Sequence, residues 1–242
     1  MPAGFEYIRQ LDALSEEDAP LVGVNGLNLG KLRRKGLPVS DGFVITTRAF
    51  DLFARISGLE KSVAWFAERA SVDDALERDR YARMVETIMR ASRIPDGVKE
   101  AILVQYWELC KRSGAAAVLA RCSFPAEVSA EPSFMGQRCA FFDLMSEEEL
   151  LAAVKRCWAS VYHPLAVRLW SQRFAGRSLI PCAVVVQEQG SAGVDWMARA
   201  GTWGGRRETS GDALASLRTL IGDPLPALDN NQHRPSYHET QD

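Results

Sequence analysis

Little in this chain marks it for the chemistries most easily read from a sequence. Cysteine is scarce, five in 242 residues, and Cys110, Cys122, Cys139, Cys157 and Cys182 form no Cys-x-x-Cys pair. An odd count without paired spacing argues against a disulfide frame or a zinc site and for reduced thiols. Histidine is rarer still: His163 stands beside Pro164, and His233 and His238 lie near the C-terminus. None has a glycine-rich, Ser-His context, so none is assigned a catalytic role. Neither Gly-x-Gly-x-x-Gly nor Gly-x-x-x-x-Gly-Lys-Ser/Thr occurs, which removes Rossmann and P-loop readings. An excess of one charge is also missing. The net charge is −2 with both signs interspersed, so no basic stripe argues for nucleic acid, and any phosphate site must be local. The longest apolar runs, such as Ala115–Ala120, are far too short to span a bilayer. The N-terminal stretch carries Glu6 and Asp12 and has no basic segment followed by an apolar core. Together these absences predict a cytoplasmic protein with neither a membrane nor a nucleic-acid partner.

What is present is ordinary globular material: 47% apolar and 25% charged residues, enough for one large domain or two small lobes with a sizeable core. Periodicity predicts a helix-rich first half with no large sheet. Thr46 and Thr47 can cap a helix through Ile56, with Phe50, Phe53 and Ala54 on one face and Gly58 as the stop. Further helices are expected over about Leu59–Ala70, Val72–Ala91 and Pro95–Arg112, the last ending before Gly114. Leu103, Tyr106, Trp107 and Cys110 fall at i, i+3, i+4, i+7 and predict its buried stripe. From Ala115 the pattern changes. Ala117–Cys122, Arg138–Leu144 and Cys182–Gln187 suit buried strands. Ser146 with Glu149 is a capping box for a helix whose stripe is Leu150, Val154, Cys157, Trp158, Val161 and Tyr162, before Pro164 interrupts it. Helices followed by alternating strands and helices suit an α+β or α/β architecture. The predicted domain is 1–222, helical over about 46–113 and mixed over about 114–205. Residues 223–242, rich in Pro, Asn, Gln and His, read as a disordered tail.

One run carries a candidate chemistry. Arg121 ends an apolar strand and is followed at short range by Ser133-Phe134-Met135-Gly136-Gln137. A nucleoside triphosphate needs its charges met by cations, by backbone N–H groups freed at glycine, and by carboxylate-held Mg²⁺. The Arg121 guanidinium can fork onto phosphate oxygens; the competing reading pairs it with a carboxylate such as Glu127. Gly136 lets the backbone approach a ligand and Ser133 offers a hydroxyl, although an ordinary turn between strands would look the same. Cys122 beside Arg121 could be a thiol activated by a neighbouring cation, but a nucleophile also needs a base and an orienting group.

Two runs together resemble a known family. Val22-Gly23-Val24-Asn25-Gly26-Leu27-Asn28-Leu29-Gly30-Lys31-Leu32 leads into Gly36-Leu37-Pro38-Val39-Ser40-Asp41-Gly42-Phe43, and Arg121 through Gln137 keeps its internal spacing without a gap. The chain looks like the N-terminal ATP-binding domain of the phosphoenolpyruvate synthase, pyruvate phosphate dikinase and rifampin phosphotransferase superfamily, an ATP-grasp type domain. There the runs are typically Gly-Gly-Lys-Gly, a helix, Gly-Leu-Pro-Val-Pro-x-Gly-Phe, and Arg-Ser-Ser-Ala-Thr-Ala-Glu-Asp with Ser-Phe-Ala-Gly-Gln. The likeness continues through Cys157–Val161, Ala166–Arg168 and Ala183–Gln187 and fades after Val194.

The resemblance implies an ATP-grasp-like fold, a helix-rich lobe followed by a mixed strand-helix lobe, with ATP as ligand. It implies Asn25, Arg121, Ser133, Gly136, Gln137 and Gln187 as nucleotide-binding positions, Arg121 also as the catalytic cation, and Gln187 either near the adenine or as a plain polar strand end. Departures matter. Asn25 stands where the family turn carries its ATP-binding lysine, and an amide cannot neutralise an oxyanion. Lys31 lies six residues on. Cys122, Pro125 and Val128 replace a serine, a threonine and an aspartate of the pattern. The family's Mg²⁺-binding carboxylate and Gln-x-Arg contact lie downstream of the matched region. Asp195, Glu208 and Asp212 form no convincing substitute pair and Gly201–Glu208 is only faintly like the family's Gly-Leu-Gly-Glu, so Mg²⁺ is left without assigned ligands. The implied activity is ATP-dependent phosphorylation of a histidine on a separate partner chain, with AMP and phosphate released and the phosphoryl group passed on to pyruvate or another small acceptor. The alternatives are a catalytically inactive pseudoenzyme serving as a binding or regulatory subunit, and the remnant of a truncated gene.

Overall fold

The computed structural model describes residues 6–69, 74–124, 140–162 and 180–189. In chain order these form β1 (Ile8–Gln10), 3-10 turns at Leu11–Ala13 and Glu16–Asp18, α1 (Ala19–Arg34), β2 (Gly42–Ile45), α2 (Thr47–Ile56), α3 (Leu59–Arg69), α4 (Ala75–Ala91), α5 (Asp96–Ser113), β3 (Val118–Ser123), β4 (Ala140–Leu144), α6 (Glu147–Ser160) and β5 (Ala183–Glu188). The five strands make one sheet in the order β1-β2-β5-β3-β4. Every pairing is antiparallel, which decides for α+β over α/β, since parallel crossovers define the latter.

Local signals account for several helix ends. Asp74 caps α4 by accepting from the Leu76 N–H at 2.8 Å, Pro95 sits at the N-cap of α5, and Gly114 ends it at φ 68°. Ser146 and Glu149 form the expected reciprocal capping box of α6. Thr46 occupies the N-cap position of α2 but makes no capping bond; its hydroxyl donates to the Glu6 carbonyl at 2.7 Å, tying the chain before β1 to the end of β2.

Four helices, α2 to α5, follow β2 before the chain enters β3. The first half holds no large sheet of its own, but it lends β1 and β2 to the shared one, strands that periodicity did not reveal. β1 spans three residues and β2 is buried on both faces, so neither displays an alternation of apolar and polar residues. The α5 stripe is a correction. Val98, Ile102, Tyr106 and Leu109 are the buried residues, while Trp107 is 59% exposed. Apolar residues occur on two adjoining faces of that helix, and only its docking against the sheet and α6 selects one.

The sheet is covered on both sides. On one, Phe43, Ile45, Ala120, Cys122, Val184 and Val186 meet Phe50, Phe53, Ile102, Val154 and Trp158 from the helices. Trp158 is fully buried, its ring 5.1 Å from that of Phe53 and 5.8 Å from that of Phe50. On the other side, Val44, Ala183 and Val185 meet Val22, Leu27 and Leu29 of α1, with Leu11 and Leu14. Among the described residues no helix is long and apolar enough to cross a membrane. The Ser133–Gln137 loop, Pro164, all three histidines and the 223–242 tail lie outside the described residues.

Candidate nucleotide site

The α1 face of the sheet is where the candidate polar residues gather. Val44, Val185, Arg121 and Ala140 stand opposite one another across four strands. Val44 and Val185 pack beneath α1, and strand alternation puts Arg121 on that same side, with Leu119 and Ser123 flanking it along β3. Gln187 follows Val185 by two residues and shares the face. Arg121 is 8% exposed and Gln187 5%, so both are held by their surroundings rather than by solvent.

α1 is two helical pieces joined at Gly23, whose φ of 68° and ψ of 175° are not helical. A side chain is excluded there, because a Cβ would lie 2.5 Å from Ser123 Oγ and 2.6 Å from the Ser123 carbonyl carbon. The turn is fastened to the end of β3. The Val24 N–H donates to the Phe124 carbonyl at 2.7 Å, the Gly26 N–H to Ser123 Oγ at 3.0 Å, Ser123 Oγ to the Val22 carbonyl at 2.6 Å, and Asn25 Nδ2 to the Cys122 carbonyl at 2.9 Å. Asn25, the exposed member of the turn, therefore binds the strand that carries Arg121. Lys31 faces elsewhere: its ammonium pairs with Glu16 at 2.9 Å.

At the far end of β5, the Gln187 amide donates to the Ser40 carbonyl at 3.1 Å. The main chains of Asp41 and Glu188 are joined by the Glu188 N–H donating to the Asp41 carbonyl at 2.9 Å. Gln187 thus latches the Gly36–Gly42 connection onto the sheet. Asp41 also receives Arg112 Nε at 2.7 Å and Arg33 Nη2 at 3.4 Å. Burial alone would raise its pKa, but the Arg112 hydrogen bond, the Gly42 N–H and both guanidinium charges outweigh it and hold the carboxyl below its ordinary value.

Cys122 points the other way, into the helical core, with its thiol 3.5 Å from the Cys157 carbonyl. The pleat that sends Arg121 to one face sends its neighbour to the opposite one, so the activated-thiol reading is overturned. Among the described residues, no group of three or more His, Cys, Asp or Glu side chains is arranged to hold a metal ion. The described part of the site offers no ligand set that fits Mg²⁺.

Of the sequence-predicted site residues, the structure thus brings Arg121, Gln187 and the Asn25 turn to one face of the sheet; Ser133, Gly136 and Gln137 lie outside the described residues. Ser123 is not among the residues the sequence marks as candidates. Its position two residues beyond Arg121 on a strand, where alternation returns to the same face, is the signal that could have found it.

A glycine-broken helix fastened beside a strand arginine is an arrangement suited to an anion-binding turn. Residues 19–209 match the family described as the pyruvate phosphate dikinase, AMP/ATP-binding domain. The chain belongs to this family. This AMP/ATP-binding domain is 33% identical over 185 residues to a probable phosphoenolpyruvate synthase of Methanothermobacter thermautotrophicus, covering 76% of this chain and 27% of that protein. It is 32% identical over 176 residues to a probable phosphoenolpyruvate synthase of Archaeoglobus fulgidus, covering 72% and 23%. To the phosphoenolpyruvate synthase of Pyrococcus furiosus it is 27% identical over 218 residues, covering 76% and 27%. The chain spans about a quarter of the length of the curated relatives it matches. The α+β sheet with its helical flank is accordingly an ATP-grasp-like AMP/ATP-binding domain.

Proposed function

We propose that this chain binds ATP on the α1 face of its sheet and serves as the nucleotide-binding part of a phosphoenolpyruvate synthase-like or pyruvate phosphate dikinase-like phosphotransferase. The observation that carries the reading is the fastening of the Gly23–Gly26 turn to the end of the strand bearing the buried Arg121. In it Arg121 binds phosphate oxygens and stabilises charge in transfer, the turn supplies backbone donors, and Ser133, Gly136 and Gln137 cover the phosphates. Gln187 keeps the Ser40–Gly42 segment in place near the base. The acceptor of the phosphoryl group is a histidine on a separate chain, and AMP and phosphate are the products that leave.

Calorimetric titration with Mg·ATP tests this directly. Saturable micromolar binding is expected, weakened about 30-fold or more in Arg121→Ala, in line with the loss of a charged hydrogen bond. Circular dichroism confirms that the variant is folded. No heat at millimolar ATP would sink the proposal. A second reading, a pseudoenzyme acting as a binding or regulatory subunit, is favoured by Asn25, which is neutral and has its amide engaged with the Cys122 carbonyl. It predicts nucleotide binding without phosphoryl transfer to any histidine-bearing partner.

A further inference from the structure

β3 presents two buried polar side chains on its α1 face, Arg121 and the fully buried Ser123. The Ser123 hydroxyl works in both directions: it donates to the Val22 carbonyl and accepts from the Gly26 N–H. These two partners flank Gly23, where α1 loses its helical geometry. Such a break deprives the carbonyls before it and the N–H groups after it of intrahelical partners, and one hydroxyl satisfies one of each. Serine suits this place on chemical grounds. Alanine forfeits both bonds, threonine adds a methyl where Gly23 is already in contact, and a thiol is a weak donor and acceptor.

We propose that Ser123 is a positioning residue for nucleotide binding, its hydroxyl setting the Gly23–Gly26 turn in register with Arg121. This rests on the ATP-binding reading above. Ser123 itself does not touch the nucleotide. It lies two residues from Arg121 on the same face, about 7 Å along the strand, and it joins groups 97 residues apart in sequence. The turn and the guanidinium are thereby referenced to a single strand, so that both meet one ligand without a separate adjustment of each.

The test compares the unaltered chain with Ser123→Ala, and with Val85→Ala as a core substitution on α4 away from the α1 face. Thermal unfolding, amide hydrogen exchange at Val24 and Gly26, and Mg·ATP titration well below the unfolding transition are measured on each. Both variants are expected to melt earlier. Only Ser123→Ala should lose exchange protection at Gly26 and bind Mg·ATP about ten-fold or more weakly. Unchanged affinity in folded Ser123→Ala overturns the positioning role and leaves the ATP-binding proposal standing. No binding by the unaltered chain overturns both. Should Ser123→Ala fail to fold, Ser123→Cys, which keeps the shape of the side chain with a slightly larger and weakly hydrogen-bonding atom, is judged by the same criteria. Failure of both to fold makes Ser123 a determinant of the fold alone and overturns the proposal.

Discussion

At the scale of single residues, Asn25 concentrates what is unusual about this site. Its amide reaches back to the Cys122 carbonyl, contributing one neutral hydrogen bond of about 1 kcal/mol to the seam between turn and strand. A lysine here would give up that bond and bring a full positive charge to the turn, and charge-assisted contacts are about twice as strong as neutral ones. Asn25→Lys is therefore expected to bind Mg·ATP several-fold more tightly while melting slightly earlier. Weaker binding in the calorimeter would mean that the asparagine's hold on β3 matters more to the ligand than charge. Arg121 and Ser123 show why neighbours on one strand face take different parts: the long guanidinium can reach outward, whereas the short hydroxyl can only serve the main chain beside it.

At the scale of elements, Asp41 fastens three of them. It directly precedes β2, pairs with Arg33 near the C-terminus of α1, and pairs with Arg112 near the C-terminus of α5, where cations also meet the negative end of each helix. A carboxyl whose folded-state pKa is depressed contributes stability above its unfolded pKa of about 3.9 and loses it as pH falls through the lower folded value. Asp41→Asn should cost about 1 kcal/mol at neutral pH. Its deficit in melting temperature should close as the pH is taken below about 4. A deficit that persists at acid pH would assign the effect to packing rather than charge.

For the whole molecule, the sheet divides two duties. The helical face holds the aromatic core around Phe50, Phe53 and Trp158, and the α1 face holds the candidate site. Trp158→Ala is expected to lose about 3–5 kcal/mol in urea unfolding, as a large buried side chain leaves a cavity. The folded fraction should still bind Mg·ATP with unaltered affinity, because the sheet lies between the cavity and Arg121. A parallel loss of affinity would show that the two faces are coupled.

Much of this was written locally. Pro95, Gly114, Ser146 and Glu149 mark helix ends through contacts within a few residues, so α5 and α6 were legible from the chain, as was the candidacy of Arg121 and of the glycine turn through their spacing. Which face each element buries was not. Trp107 and Leu109 are both apolar, and only docking decides that the first stays exposed while the second is buried. β1 and β2 are too short or too uniformly buried to show a period, and they exist because β5, some 140 residues further along the sequence, pairs with β2 through Gly42↔Gln187 and Val44↔Val185. The sequence by itself determined the ends of α5, the start of α6, the family and the candidate residues, because these rest on local chemistry and on motif spacing. Tertiary structure alone decided the sheet order, the turning of Cys122 into the core, and the joining of Ser123 to the glycine turn, because partners so far apart in the chain leave no periodic trace in it.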